Sequence, residues 1–388
     1  MLAVMTLPLA DVLAHLEAIA PLELAEEWDN VGLLVESGPS HASGAQPRLV
    51  DRALLTIELN QIVLDEARRD GCQLVVSYHP PVFHGFKRLV RKDPTARVVL
   101  DAIAARIDVY SPHTALDAAP GGVNDWLCEA LGQGNSEPLQ PALETGRAGE
   151  LKLVVFVPAD HVDALREALG DEAGAGVIGE YSGCSFMLQG QGTFWGGEGT
   201  SPAIGEAGRL ERVNEVRLEM VCPAGALPRA AQVIQRVHPY EEPAWDAIPL
   251  VAKPRLGAGQ GRAVELRAPA PLDGIVERVK QHLGLRHVRL AAAARHRDGD
   301  PIRRGAVCAG AGATVLKSAR NVDLLLTGEM RHHDVRSWVD RGVSVVLCDH
   351  TNTERGYLPR LAQTLTERCG GALTVSVSRR DRDPLEVV

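Results

Sequence analysis

Histidine and carboxylate side chains cluster in three short motifs, each of which directly follows an apolar run of the chain. The motifs are Ser77–His84, Ser111–Asn124 and Cys348–Glu354. The runs before them have the composition of buried strands. Because ligand sites in open α/β sheets lie beyond the carboxyl ends of strands, we expect the three motifs to converge on one crevice. Imidazole nitrogens and carboxylate oxygens together suit a divalent zinc, manganese or iron ion.

The third motif allows two interpretations. His350 and Glu354 are four residues apart at a predicted strand-to-helix turn, so both side chains point to one side if a helix begins near His350. Thr351 and Glu354 also have the Thr-x-x-Glu spacing of a capping box, in which Glu354 would only satisfy the helix start. The segment alone does not distinguish a ligand pair from a cap.

The first two motifs also have ordinary structural explanations when each is taken singly. His79 precedes two prolines and could be a core histidine, and Asp117 precedes a run of small residues and could be a turn residue. The hypothesis of a metal site therefore depends on the three motifs coming together in the fold.

Other signals in the chain carry less weight. Gly310-x-Gly312 lacks the third glycine of a dinucleotide-binding fingerprint. His332 and His333 are adjacent, which is typical of a surface helix, since neighbours in a helix face different directions. A solvated acidic face is the prediction for Asp11, Glu26, Glu27 and Asp29.

Composition limits the classes of protein to consider. The chain has 388 residues, which suggests two or three domains at about 150 residues each. Its net charge of −9 and aromatic fraction of 4% disfavour a nucleic-acid binder. No apolar run approaches the ~18–20 residues that a membrane helix needs. Seven scattered cysteines without a C-x-x-C pair argue against a disulfide framework and a zinc ribbon, so we expect a cytoplasmic protein.

The elements that must position the motifs follow two patterns. In 1–147 and in 253–388, strand-like apolar runs alternate with helical spacing, which predicts a mainly parallel α/β sheet. Residues 148–252 instead have the order β-α-β-β-α-β of a ferredoxin-like module. Because neither flank looks complete alone, we predict one α/β metal-binding domain in two halves, with 148–252 inserted between them.

At these motifs the sequence resembles a known family, the interacting-factor-3-like dinuclear metal-centre proteins, often labelled GTP cyclohydrolase 1 type 2 homologues. The resemblance covers nearly the whole chain and is carried by EEWDNVGL, YHPPVFHGFKRL, SPHTALDAAPGGVN, LLTGEMRHHD and DHTNTERGYL. The segments YSGCSFMLQGQGTFWGGEGTSPAIGE and HPYEEPAWD resemble the insert of the family's long form, which is similar to PII-type and copper-tolerance-like folds. The resemblance implies a three-layer α/β/α domain split by this α+β insert.

The resemblance also implies a ligand set. His79, Asp117, His350 and Glu354 match the family's metal-binding residues, which implies one or two divalent metal ions per chain. Asp117 and Glu354 are the natural bridging carboxylates of a two-metal centre, because each offers two oxygens. Many bacterial members of the family have a further histidine at the position of Tyr78. A tyrosine at this position resembles the eukaryotic-type branch of the family. The loss of that nitrogen puts the second metal in question, with His84 or His113 as substitutes. Glu58 stands where bacterial relatives often have aspartate near the site.

Hydrolysis of a small, phosphorylated or nucleotide-like substrate is the reaction class that such a centre implies. General acid or base candidates are His113, Glu329 and His333, and the chain contains no P-loop motif. The family also implies a homo-oligomer, commonly a hexameric ring with its metal sites facing the interior. The alternative is a non-enzymatic metal-binding regulator or scaffold whose insert senses a ligand or partner.

Overall fold

A computed structural model describes residues 6–38, 47–143 and 150–386 of the chain. Within these ranges the chain divides into two compact units, a larger one of Met1–Ala142 with Arg255–Val388 and a smaller one of Leu143–Pro254. The boundary predicted between 147 and 148 lies outside the described residues, and the origin of the smaller unit as an insertion stays a prediction. No helix in the described ranges is long and apolar enough to cross a membrane.

Short strands and helices alternate along the chain. The first part contains strands β1 (Leu7–Pro8), β2 (Gly32–Val35), β3 (Leu49–Val50), β4 (Arg52–Thr56), β5 (Leu74–Ser77), β6 (Asp108–Ser111) and β7 (Gly134–Leu143). Its helices are α1 (Leu9–Ile19), α2 (Gln61–Arg69), α3 (Pro94–Ala105), α4 (His113–Ala118) and α5 (Val123–Glu129). The smaller unit follows with β8 (Glu150–Pro158), α6 (Val162–Ala173), β9 (Phe186–Trp195), β10 (Leu210–Pro223), α7 (Leu227–Val237) and β11 (Trp245–Pro249).

The last part of the chain returns to the larger unit. Its strands are β12 (Pro254–Ala270), β13 (Arg289–Ala291), β14 (Ile302–Cys308), β15 (Leu324–Thr327), β16 (Ser344–Leu347) and β17 (Thr374–Val377). Its helices are α8 (Leu272–Leu283), α9 (Ala294–Arg297), α10 (Ala313–Leu316), α11 (His332–Asp340) and α12 (Leu358–Arg368).

The larger unit contains two main sheets. One has the order β17-β4-β5-β6-β2, in which the first four strands are parallel and β2 is antiparallel to β6. The other has the order β13-β16-β15-β14-β12-β7, with β16, β15 and β14 parallel, β13 antiparallel to β16 and β12 antiparallel to β14. The predicted mixed α/β class is confirmed. The larger unit has two main sheets, whereas the alternation of strands and helices in the sequence predicts one. Alternation along the chain does not reveal which strands pair.

One hydrophobic core joins the two sheets of the larger unit. It contains buried residues of α1, α5, α8 and α12 together with residues of β4, β5, β14, β15 and β16. A second cluster packs α2 and α3 against β4, β5 and β6, and a third packs α10 against β14, β15 and β16. Helices of the first core therefore pack between the two sheets as a shared layer. The larger unit thus has more layers than the three that the family resemblance implies.

The smaller unit is an antiparallel sheet with two helices. Its strand order is β11-β8-β10-β9. Residues 153, 155 and 157 of β8 and residues 216, 218, 220 and 222 of β10 pack with α6 and α7 in one core. Because side chains alternate across a strand, the intervening residues point to the opposite face of this sheet.

Side-chain caps fix where the helices beside the candidate site begin. Asn60 accepts hydrogen bonds from the amides of Ile62 and Val63, so α2 starts three residues after Glu58. Asp93 likewise caps α3, which has Pro94 at its first position. The cap at Asn60 leaves Glu58 in a short, defined connection beyond the end of β4.

A buried ion pair connects α5 to β12. The Arg262 side chain is 1% exposed, and its Nε and Nη2 donate to the two oxygens of Asp125 at 2.6 and 3.0 Å. Its Nη1 donates to the carbonyls of Gly259 and Gly261 at 2.5 and 2.9 Å. The guanidinium is therefore fully paired only while Asp125 is present.

Replacing Asp125 by alanine should destabilise the protein, because it leaves the buried Arg262 charge without a counter-ion. The expected loss is about 3–5 kcal/mol in the free energy of unfolding. The matched control is Glu129→Ala on the same helix, which removes an exposed pair with Arg360 and should cost about 1 kcal/mol or less. Urea unfolding followed by circular dichroism measures both changes, and equal losses would contradict this role of Arg262.

Candidate metal centre

The candidate ligands stand at strand ends of both sheets in the larger unit. His79 lies two residues beyond the carboxyl end of β5, and His350 lies three residues beyond that of β16. Glu354 follows His350 between two short 3₁₀ turns, Thr351–Thr353 and Arg355–Tyr357. The carboxyl ends of parallel strands from two different sheets therefore supply one cluster.

Three side chains meet in this cluster. One ligand atom from each of His79, His350 and Glu354 lies within 4.8 Å of the others. Glu354 Oε2 is 3.3 Å from His79 Nε2, and Glu354 Oε1 is 3.4 Å from His350 Nε2. Glu354 is 3% exposed, and its buried Oε2 makes no hydrogen bond within the described residues. Each oxygen of one carboxylate thus faces a different imidazole.

A carboxylate lies behind each imidazole. Glu58 Oε1 is 2.6 Å from His79 Nδ1, and Glu329 Oε1 is 3.6 Å from His350 Nδ1. Burial alone would lower the pKa of His79, but the carboxylates of Glu354 and Glu58 raise this pKa to about 10. A metal ion would displace the Nε2 proton of this charged ring, and Glu58 would keep the remaining proton on Nδ1, as in many carboxylate–histidine–metal sites.

Two glycines leave the space that the cluster occupies. A Cβ at Gly310, which has φ of 59°, would lie 2.7 Å from Glu354 Oε1 and 2.9 Å from His350 Nε2. A Cβ at Gly328 would lie 2.8 Å from the Cα of His350. The amide of Gly310 also donates to Thr353 Oγ1, whose hydroxyl donates to the His350 carbonyl. The Gly310-x-Gly312 segment therefore shapes the ligand cluster.

The capping-box interpretation of Glu354 is wrong. Helix α12 begins at Leu358, four residues after Glu354, and the Thr351 hydroxyl bonds to Asp383. Two 3₁₀ turns replace the helix that the spacing predicts near His350, yet both side chains still point to the same place. The turn is fixed by the Thr353 hydrogen bonds and by a left-handed Asp349 with φ of 63°.

Asp117 lies beside the cluster but outside the group of three. Its Oδ1 accepts a hydrogen bond of 2.6 Å from the hydroxyl of Tyr78, which is 2% exposed. Burial raises the pKa of Asp117 to about 6, against the lowering effect of that hydrogen bond. Burial and the Asp117 and Glu354 carboxylates raise the pKa of Tyr78 well above its usual value. Tyr78 is therefore a neutral donor to Asp117.

The Asp29 side chain is buried, so its prediction as part of a solvated acidic face is wrong. Its Oδ1 is 2.7 Å from His113 Nδ1, and its Oδ2 accepts from the amide and hydroxyl of Thr114 at 3.1 and 2.5 Å. Although burial raises it, these contacts hold the pKa of Asp29 below its usual value. Asp29 is ionised and fixes the orientation of His113, whose ring centroid lies 5.3 Å from that of His79.

The remaining predicted residues lie at different distances from the cluster. Glu329 stands behind His350, as described above. His84 is exposed and packs on Phe83 with ring centroids 4.7 Å apart. His333 is exposed at the start of α11, where its ring contacts His332, and no hydrogen bond or ion pair joins it to the cluster within the described residues. Its catalytic role stays a prediction.

Two aromatic residues near the cluster, Trp28 and Phe83, are not among the predicted site residues. Trp28 is 60% exposed, and its ring centroid lies 6.0 Å from that of Phe83 and 6.1 Å from that of His113. Both residues belong to motifs of the family resemblance. Their exposure is the signal that marks them, because large exposed apolar rings beside polar groups are typical of binding surfaces, and exposure is not visible in a sequence.

The sequence model of Duf34/NIF3 (NGG1p interacting factor 3) matches residues 7–384 of the chain.

The chain belongs to the Duf34/NIF3 family.

Relatives in this family span animals and bacteria. The chain is 35% identical over 380 residues to NIF3-like protein 1 of Bos taurus, covering 97% of this chain and 92% of the relative. It is also 35% identical over 387 residues to the GTP cyclohydrolase 1 type 2 homolog of Mycobacterium tuberculosis, covering 98% and 97% of the two chains.

Solved structures share the fold of this chain. A Bacillus cereus protein related to NIF3 matches with a TM-score of 0.63 and 31% identity over 98% of both chains. Staphylococcus aureus protein SA1388 matches with a TM-score of 0.73 and 24% identity over 98% of this chain and 99% of that one. The second likeness concerns the fold alone.

Replacing Glu354 by glutamine should weaken metal binding, because it takes away the one carboxylate that faces both imidazoles. We expect at least ~10-fold weaker affinity for Mn²⁺ or Zn²⁺. Loss of a residue that only supports a metal ligand already weakens affinity by about that factor, and Glu354 would be a ligand itself. Glu367→Gln on α12 is the control, since Glu367 bonds only to Gln363 on the helix surface within the described residues. Equilibrium dialysis with elemental analysis measures the affinity. Unchanged binding in Glu354→Gln would contradict the assignment.

Replacing Tyr78 by histidine should raise the metal content toward about two ions per chain, because it adds a nitrogen ligand and releases Asp117 Oδ1. Tyr78→Phe is the control, since it releases the same oxygen without adding a ligand. Elemental analysis of both variants after dialysis against excess metal gives the ratio. A wild-type chain that already holds two ions would refute the proposed effect of Tyr78.

Proposed function

We propose that this protein is a divalent-metal-dependent hydrolase of a small, phosphorylated or nucleotide-like substrate. The observation that carries the proposal is the Glu354 carboxylate, whose buried oxygens each face one imidazole Nε2. Three properties of the cluster fit a metal ion: the unpaired buried Oε2, the glycine at 310 where a Cβ would collide, and the nitrogen–oxygen donor set. His79, His350 and Glu354 would hold the ion, with Asp117 beside them.

A bound divalent ion would lower the pKa of its water toward ~7 and polarise a substrate oxygen. The residues of this chain supply the rest of the chemistry. Glu58 orients the His79 ring through its 2.6 Å contact with Nδ1, so that this ligand nitrogen is in place before substrate arrives, and Glu329 adds negative charge 3.6 Å from His350 Nδ1. Three protein ligands on one side leave coordination positions for water and substrate.

His113 is the general acid or base that the geometry favours. Asp29 Oδ2 is occupied by Thr114, so its Oδ1 accepts the Nδ1 proton of His113 and fixes the tautomer. This leaves Nε2 to exchange a proton with a reacting group, the arrangement by which a carboxylate orients a catalytic histidine. Glu329 is better suited to support His350 than to act on substrate, because it lies behind that ring.

The aromatic residues beside His113 support a substrate with a planar ring. The exposed faces of Trp28 and Phe83 offer a stacking surface of the kind that binds nucleobases. Relatives in Mycobacterium tuberculosis and Bacillus subtilis carry the name GTP cyclohydrolase 1 type 2 homolog, which agrees with a nucleotide-like substrate. Substrate phosphates would contact the metal ion, since the sequence has no P-loop to bind them.

Three further parts of the proposal follow from the sequence. They are a homo-hexameric ring with metal sites facing its interior, which rests on the family resemblance, a ferredoxin-like insert at 148–252, which rests on the element order, and a cytoplasmic location, which rests on cysteine usage. Seven free cysteines, six of them buried, support a reducing compartment. A regulatory role remains the second candidate function, because the smaller unit contains a ligand-sized cavity of its own.

Replacing His113 by glutamine should lower the turnover number by ~10²–10⁴-fold without reducing metal content, because it removes a proton-transfer group and no metal ligand. The assay is a screen of phosphorylated and nucleotide substrates with the metal-loaded protein and metal-free controls. Asp29→Asn should lower the turnover number in the same direction, and His332→Gln on the exposed end of α11 is the control. A screen in which no substrate is hydrolysed above the metal-free level would favour the regulatory function.

A further inference from the structure

The smaller unit contains a cavity of about 420 Å³ that lies wholly within its own residues. This volume is in the range of small-molecule sites. Aromatic side chains of Phe156, Phe194, Trp195 and Tyr240 line it, together with the carboxylates of Glu215 and Glu242. Trp195 is 65% exposed and stands at the rim. The walls thus combine flat apolar surfaces with negative charge.

Glycines in β9 make room for the carboxylate on this wall. Strand β9 pairs with β10 so that Gly192 lies opposite Val213, and Gly190 lies opposite Glu215. A Cβ at Gly192 would lie 2.2 Å from Glu215 Oε2. The Gly-Gln-Gly sequence therefore lets the Glu215 carboxylate lie across the strand into the cavity, as glycine in a strand often marks a close approach.

A buried histidine holds the opposite wall. His238 Nδ1 accepts from the Tyr240 amide at 3.0 Å, so its Nε2 carries the proton and donates to the Phe156 carbonyl at 2.8 Å. Burial lowers the pKa of His238, which keeps this ring neutral. The HPYEEPAW segment is thereby fastened to β8 and presents Tyr240 and Glu242 to the cavity. The buried Tyr240 hydroxyl lies near Glu215, and no hydrogen bond of good geometry satisfies it within the described residues.

Among the described residues, the lining of the cavity holds no counter-ion for its carboxylates. Glu215, Glu241 and Glu242 line it, and the described lining includes no lysine or arginine. Glu241 Oε1 accepts from the Ser201 amide, which fixes the rim segment but supplies no charge. Arg217 lies over Phe156 and is already paired with Glu219. Glu215 is half-buried, whereas Glu241 and Glu242 are exposed, so an entering cation would meet one carboxylate that water reaches only in part.

We propose that this cavity binds a small organic cation, an ammonium or guanidinium group carried on a short apolar body. The aromatic walls would contact the apolar part and attract the cation to their faces, while Glu215 supplies the opposite charge. A bare metal ion fits less well, because the carboxylates of the cavity do not form a ligand group within the described residues, whereas His79, His350 and Glu354 do. The proposal is independent of the reaction at the metal centre.

The test is titration calorimetry of the full chain, kept in excess chelator, with choline, n-butylammonium and methylguanidinium. At least one probe should bind saturably. For choline, the matched neutral probe is 3,3-dimethylbutan-1-ol, which has the same shape without the charge, and it should bind at least ~10-fold more weakly. Chelator keeps the metal centre from contributing heat.

Variants locate the binding site. Glu215→Gln should weaken cation binding by at least ~10-fold through loss of a charge-assisted contact, and Trp195→Ala should weaken it too. Glu167→Gln on α6 changes the charge of the same unit equally but lies outside the cavity, so it should leave binding unchanged. Circular dichroism checks that each variant folds.

Four results would overturn the proposal. They are the failure of all three cations to saturate, equal binding of the neutral alcohol, unchanged binding in folded Glu215→Gln, and competitive displacement of choline by Mn²⁺ in chelator-free buffer. The last result would assign the cavity to a metal ion.

Discussion

The Glu354 carboxylate is the point on which both sheets of the larger unit converge. One oxygen faces an imidazole that follows β5, and the other faces an imidazole that follows β16. With Glu58, Glu329 and Asp117 nearby, the carboxylates outnumber the two ligand histidines. A buried, unpaired carboxylate oxygen is unfavourable unless a cation or proton compensates it. The strand ends are thus arranged around a site that a divalent ion would stabilise.

The backbone around this carboxylate is adapted to its presence. Gly310 and Gly328 remove side chains that would collide with the ligands, and Thr353 ties the His350 turn to the end of β14. Asn124 connects the second motif to the same place, because its amide group donates to the Asp117 carbonyl and accepts from the Ala309 amide. These contacts hold three distant segments of the chain in one arrangement, which is the preorganisation that metal sites require.

Strand-end reasoning brought His79, His350 and Glu354 together from the sequence, since short apolar runs followed by polar motifs are visible locally. Other features depend on contacts that are distant in the chain. Asp29 is buried because it meets His113 and Thr114, which lie 84 and 85 residues away. The number of sheets depends on which strands pair. The exposure of Trp28 depends on whether other segments of the chain pack over its ring. The conformation at Glu354 shows that correct spacing can arise from 3₁₀ turns as well as from an α-helix.

The pairing of β7 with β12 has a consequence for how the protein folds. Gly134 lies against the Glu265 backbone and Gly259 against that of Gln140, so the two strands are neighbours although all of Leu143–Pro254 separates them. During synthesis the first sheet can begin to form early, whereas the second sheet must wait for the whole intervening segment to leave the ribosome. Prior collapse of that segment into its own core shortens the effective loop and reduces the entropy lost on closure. The order of assembly is therefore set by topology: the ligands of the metal centre can meet only after the last third of the chain has been made.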